Sequence, residues 1–473
     1  MRTLMTATLL LLLAATPATA ADEIVSTARD QLGVAVTIYN DDLALIKDRR
    51  TVTLPEGRAV LAFREVSGRI RPETALLSGE GMAVLEQNFE FDLLTPEALL
   101  AKYVGREVTL IRTHPTTGAE SREQAQVLSA AAGVVLRLGD HIETGVPGRL
   151  VFADVPDNLR DRPTLTMLTD SSTAGPRQLE LSYLTGGLGW HADYVAELAA
   201  DDASLDLNGW VTLTNESGTT YHQADLQLVA GDVHRLPPEE GQGQYMEKAM
   251  LRAAPVAPAM VEESMFTYHL YRLERPTTIR DRQSKQIALL GAGGVACKKE
   301  LLLQGRDAAY SSPAGETVSK VKVGVFVETT NSKKNRLGLP LPRGVVRVYK
   351  KDARGGLQFV GEDRIDHTPE NETIRLRLGD SFDVTAWKKQ TEFKKVAGFS
   401  LYNYVYESSH AIELKNGSAE EVTVTVNEPV PGDWEMLTES LPHEKAASNT
   451  AVWRVPVPSH GATTLTYSVR VKF

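Results

Sequence analysis

Apolar and polar residues alternate with period two through most of this chain. The runs "VAVTIYN", "AVLAFREV", "GWVTLTN", "SKVKVGVFVETT", "GVVRVYKKD", "ETIRLRLGD", "EEVTVTVNEPV" and "TTLTYSVRVKF" are spread from the first tenth of the sequence to its last residue. Half-buried antiparallel strands carry this pattern, because successive side chains point to a core and to water in turn. The pattern predicts an all-β protein of consecutive antiparallel β-sandwich-like domains, with one short helix and a flexible linker. Turn residues agree: "DARGGLQF" joins two runs as a hairpin, and Asn416-Gly417 separates two more.

The helix is predicted inside "VLEQNFEFDLLTPEALLAKYVGREV", residues 84–108. Thr95 is a good N-cap, Pro96 fits the first helical position, and Gly105 suits the left-handed residue that ends a helix. Leu99, Leu100 and Tyr103 then share the face that packs on a sheet. Before the helix, alternation puts Glu86, Asn88, Glu90 and Asp92 on a wet face, with Phe89, Phe91 and Leu93 on the other side. A wet strand face accounts for the three carboxylates without an acid/base site, which would need a cleft that separates their pKa values.

Residues 236–264 break the alternation with Pro, Gly, Ala and Met, and read as a flexible crossing. Met246, Met250, Met260 and Met265 are its soft filler. The chain divides into a signal peptide at 1–20, an N-terminal β domain at 21–150, a middle β domain at 151–235, this linker, and a C-terminal β domain at 265–473. The 473 residues suffice for roughly two to four cores of about 100 to 200 residues each.

The opening "MRTLMTATLLLLLAATPATA" has one basic residue, an apolar core from Leu9 to Ala15, and Ala18-Thr19-Ala20 before a polar segment, as a secretory signal does. Its apolar core falls short of the roughly 20 residues of a spanning helix. No later segment is continuously apolar enough to span as a helix once the signal is removed. Loss of Arg2 takes the formal charge from −10 to −11, which disfavours nucleic-acid backbone. Cys297 is the only cysteine, so no internal disulfide is available, and its setting "GGVACKKELLL" reads as a turn entering a strand rather than a reactive thiol.

Catalytic and cofactor motifs are sparse. "IALLGAGGVACKKE" satisfies G-x-G-x-x-A through Gly291, Gly293 and Ala296 but lacks the helix that the dinucleotide mechanism needs. "GEDRIDHTPENE" gathers Asp363, Asp366, His367, Glu370 and Glu372, a solvated turn in preference to a metal site. No catalytic, cofactor or metal-binding residue is assigned. The candidate ligand platform is "YLTGGLGWHADYV", where glycines precede Trp190, His191, Asp193 and Tyr194. An exposed aromatic beside an imidazole and a carboxylate can stack on a sugar ring and bond its hydroxyls. The alternative has Trp190 and Tyr194 plugging the end of a sandwich.

These stretches, together with "VTIYNDDLALIKDRRTVTLPEGRAVLAFREVSGRIRPETALL", "LNGWVTLTNESGTTYHQADLQLVAGDV", "YHLYRLERPTTIRDRQSKQIALL", "NSKKNRLGLPLPRGVVRVYKKD" and "VGEDRIDHT", resemble the bacterial family known as domain of unknown function 4139. The resemblance runs from about Val34 to Phe473. Mucoidy inhibitor proteins carry a similar C-terminal half behind a coiled coil, and no comparable heptad run occurs here. The resemblance brings no catalytic residues with it. The expectation is an exported envelope protein, periplasmic or secreted, that binds an envelope protein or glycan without catalysis. Carbohydrate-active enzyme and metal-dependent sensor are the rival readings. Association with the outer membrane is the alternative placement, because "LTYSVRVKF" ends on an aromatic residue behind alternating apolar ones.

Overall fold

A computed structural model describes residues 23–40, 42–90, 92–131, 133–145, 148–156, 159–231, 260–265, 268–305, 310–313, 319–397 and 402–473. The expected signal peptide and most of the expected linker, with Met246 and Met250, lie outside them.

The alternating runs form strands in four sheets. A four-stranded sheet contains Glu23–Ser26, Gly57–Arg64, Thr164–Ser171 and Met82–Glu90. An eight-stranded sheet is built around Gln31–Tyr39, Leu43–Leu54, Gly175–Thr185 and Tyr221–Ala230. The last residues of the expected linker belong to it: Met260–Met265 is a strand paired antiparallel with Tyr268–Leu273, and Met260 is buried. A thirteen-stranded sheet takes up the rest of the second half, and it curls until Asp363 Oδ2 accepts the backbone N–H of Arg377, two strands from opposite arms of the sheet, at 2.7 Å.

Three hydrophobic cores result. The first runs from Val34 to Leu376 and unites the four-stranded and eight-stranded sheets with the near half of the large one. Strand Gly57–Arg64 pairs with Thr164–Ser171, so this sheet takes strands from both sides of the expected boundary at 150/151. The second core lies between Leu301 and Val471 in the C-terminal sandwich. The third is small: the five-stranded sheet around Glu107–Thr113 and Glu120–Ser129 closes over Tyr103, with Leu99 and Leu100 packed against it.

Pro96–Lys102 is the α-helix among the described residues, and Thr95 Oγ1 accepts the N–H of Ala98 at 3.0 Å as an N-cap should. Gly105 has φ +85°. The wet corner before it also forms, with one difference. Glu86 and Asn88 are exposed and Phe89 is half-buried against the first core, but Leu93 is exposed. The strand ends at Glu90, so its alternation no longer governs Leu93. Phe91 lies outside the described residues.

Candidate functional site

Strand Leu188–Leu198 separates the four platform residues by its own pleat. Trp190 and Tyr194 are 3% and 0% exposed and face the first core. The Trp190 ring meets Tyr271 edge-on at 6.4 Å. The Tyr194 hydroxyl donates to the carbonyl of Pro342 at 2.8 Å, and burial holds it well above the usual phenol range. His191 and Asp193 point outward. The glycines before them serve the tight link between Gly175–Thr185 and Leu188–Leu198, which belong to different sheets: Gly187 has φ +81°, and a Cβ there would come within 2.7 Å of Ser217 Cα. No single surface displays all four side chains.

An aromatic does stand beside Asp193 on the outer face, and it is Trp210. In the antiparallel pairing of Leu188–Leu198 with Ser204–Asn215, Asp193 is directly opposite Trp210. The same transverse row continues through Val345 and Arg364 on one side and Ala288 on the other. The next outward row reads Glu362, Arg347, Val195, Asn208 and Gly291. On the other flank lie His191, Thr212 and Gln286. Five strands therefore present one open face with a half-buried indole at its centre.

Polar side chains on this face are cross-linked. Asp193 Oδ1 accepts from Arg347 Nη1 at 2.9 Å, and Oδ2 accepts from Thr212 Oγ1 at 2.7 Å. His191 Nε2 lies 3.1 Å from Asp193 Oδ2, and Glu362 Oε2 lies 3.2 Å from Arg347 Nε. Gln286 Nε2 donates to Thr212 Oγ1 at 3.2 Å. Burial pushes the Asp193 carboxyl up. The bonds from His191, Thr212 and Arg347 more than reverse that, leaving it well below the ordinary carboxylate range. Asp193 is thus held as an anion, and the His191 ring beside it is exposed.

Thr214 and Ser284 continue the outward rows past His191 and line an open depression of about 530 Å³, together with Arg69, Glu216, Asp281 and Arg282. The flat face therefore leads into a shallow polar recess.

A model of the family described as domain of unknown function (DUF4139) matches residues 179–473. The chain belongs to this family. Its matched segment starts nine residues before Leu188 and holds the whole Trp210 face, the thirteen-stranded sheet and the C-terminal core. The resemblance read from Val34 onward is matched from Leu179. No curated protein matches the chain.

Other candidates within and outside the DUF4139 segment take structural places. The G-x-G-x-x-A glycines lie inside one continuous strand, Gln283–Gln304, which runs on past them where the dinucleotide mechanism needs a helix. Asp363 Oδ1 and Oδ2 accept backbone N–H groups of Arg364 and Arg377, Glu370 pairs with Lys333 at 3.3 Å, and His367 Nδ1 accepts the N–H of Arg343. Among the described residues no group of three or more His, Cys, Asp or Glu is placed to hold a metal ion. Glu86, Glu90 and Asp92 do not converge: Glu86 is exposed, Glu90 pairs with Arg160, and Asp92 pairs with Lys102 at 2.6 Å. Among the described residues no helix is long and apolar enough to cross a membrane.

Trp210 was legible in the sequence. In "GWVTLTN" it shares the phase of Thr212 and Thr214, whereas Trp190 shares the phase of Leu188, Ala192, Ala196 and Leu198. Period two alone puts the first tryptophan outside and the second inside.

Proposed function

We propose that this chain is an exported envelope protein whose sheet face around Trp210 binds a glycan without hydrolysing it. The observation that carries the reading is Trp210 opposite Asp193, with His191, Arg347, Asn208 and Gln286 around them on an open surface. A sugar ring offers an apolar C–H face to the indole and equatorial hydroxyls to such donors and acceptors. The commitment of Asp193 to three partners favours binding over acid catalysis, since a general acid must hold a proton near the working pH. Export rests on the N-terminal apolar segment, and periplasm or secretion is the compartment it supports. Outer-membrane association is the alternative placement.

Two measurements test this. Titration calorimetry against peptidoglycan fragments and cell-surface polysaccharides should give binding that Trp210→Ala weakens by about tenfold or more, the loss of one stacking contact. Absence of binding across such a set, or turnover of a bound glycan that Asp193→Asn abolishes, overturns the reading. Cell fractionation with an antibody to the C-terminal half decides the compartment.

A further inference from the structure

The C-terminal core holds a buried ionic group outside the Trp210 face. Lys388, on Thr373–Val396, places its Nζ 2.6 Å from Oε2 of Glu428, on Val422–Pro429. The glutamate side chain is 0% exposed and the lysine 13%. Tyr310 donates its hydroxyl to the same Oε2 at 3.1 Å, and the Tyr467 hydroxyl is 2.9 Å from that of Tyr310. Glu428 Oε1 is buried and has no hydrogen-bond partner among the described residues. Trp453 stacks on Tyr467 at 4.8 Å and walls this end of the core.

A buried ion pair of this kind is costly. Desolvation of the two charges consumes much of their attraction, and an oxygen left unpaired adds to the penalty. A neutral link between the same atoms removes both charges. We infer that Lys388 and Glu428 condense to a side-chain amide, an intramolecular isopeptide bond that ties two strands of the C-terminal sandwich across its core.

The step balances without an oxidant or a co-reactant. Proton transfer from the ammonium to the carboxylate leaves a neutral amine and a carboxylic acid. Lys388 Nζ attacks Glu428 Cδ, the Nζ–Cδ bond forms, and the Cδ–Oε2 bond breaks. Oε2, which takes the ammonium proton across the 2.6 Å contact and a hydrogen bond from Tyr310, departs as water with a second proton released from Nζ. Oε1 becomes the amide carbonyl oxygen. Burial keeps the Tyr467 phenol far above its usual range, so it remains a proton donor to the Tyr310 oxygen. Positioning does the rest, since two groups held in contact in a fixed geometry react as though at very high concentration.

The link would join parts of the fold that share no backbone ladder. Thr373–Val396 pairs with Ser319–Thr330 and Val405–Asn416, whereas Val422–Pro429 pairs with Gln283–Gln304 and Thr450–Val457. The two residues are 40 positions apart. A disulfide commonly makes such a connection in an exported protein, and the single cysteine here cannot.

Mass spectrometry of the full chain, purified folded from a host that processes it, is the test. Peptide mapping should recover one branched peptide containing Lys388 and Glu428, about 18 Da lighter than the sum of its parts for the water lost. Lys388→Arg keeps the positive charge but should abolish the branched peptide and restore full mass, with a lower melting temperature. Recovery of separate, unmodified Lys388 and Glu428 peptides from the folded wild-type protein overturns the proposal. That outcome leaves the Trp210 face untouched.

Discussion

Trp210 stands directly opposite Asp193 in the pairing of two adjacent strands, and the indole and carboxylate share the outward face. Trp190, three residues before Asp193, faces the opposite way and is 3% exposed. One pleat therefore sends one tryptophan to the open face and the other to the core. Trp190→Ala should cost about 3–5 kcal/mol by emptying a core site, and Trp210→Ala about 1 kcal/mol or less. Chemical denaturation of both variants checks this, and equal losses would contradict the assignment of faces.

His410 is 2% exposed in the C-terminal core, and its Nε2 lies 2.9 Å from Ser408 Oγ. Burial is the chief cause that pushes its pKa down to about 3. Between that value and the unfolded one of about 6.5, the unfolded chain binds a proton that the folded chain does not. Stability should therefore fall as pH drops through this window, by up to about 1.4 kcal/mol per pH unit. His410→Asn should flatten the slope in urea titrations between about pH 6 and 4. The Asp193 pKa is lowered too, but in a carboxyl a lowering favours the charged form. Its contribution is present above the unfolded value of about 3.9 and is lost only as pH falls through the depressed folded value. Arg347→Met should leave the slope above pH 5 unchanged.

Cys297 is half-buried, and burial, then Asp202 and Asp201, pushes its thiol up to about 11. The neighbouring Lys299 does not offset this, because its ammonium is paired with Asp202 at 3.0 Å. Alkylation by iodoacetamide at about pH 8 should run about 100-fold slower than for a free cysteine, since only the thiolate reacts. Urea should restore the ordinary rate. Fast labelling of the folded protein would show a thiolate that this setting does not support.

Asn215, fully buried at the end of Ser204–Asn215, closes the turn that follows. Its Nδ2 donates to the carbonyls of Thr219 and Ile279, at 2.9 and 3.2 Å, and Oδ1 accepts from the N–H and hydroxyl of Ser217. Asn416 repeats the device with Glu420 and Ser418 at the end of Val405–Asn416. Asn215→Ala leaves buried carbonyls and donors unpaired and should cost about 3 kcal/mol. A melting temperature within a degree of wild type would refute this.

Local patterns carried much of the fold. Period two identified the strands, and Thr95 and Pro96 set the start of the helix through their backbone preferences, whereas its C-cap is Tyr103 and Gly105 lies beyond it. The same alternation contained the orientations of Trp190 and Trp210, although a glycine-rich approach drew attention to Trp190, which faces the core. The alternation also failed where a strand stopped, as at Leu93. Where a motif depends on a three-dimensional unit, as with Gly291, Gly293 and Ala296, the missing helix was the decisive feature, and those residues lie within a strand.

The chain by itself determined its all-β class and which side of each strand meets oil or water, because both follow from backbone geometry and neighbours two positions away. Tertiary structure decided which strands lie side by side. Arg347 reaches Asp193 across 154 positions, Glu428 meets Lys388 across 40, and Tyr467 joins Tyr310 across 157. Such meetings depend on register and sheet order. Those are set by the packing of whole faces, which no local run of residues encodes.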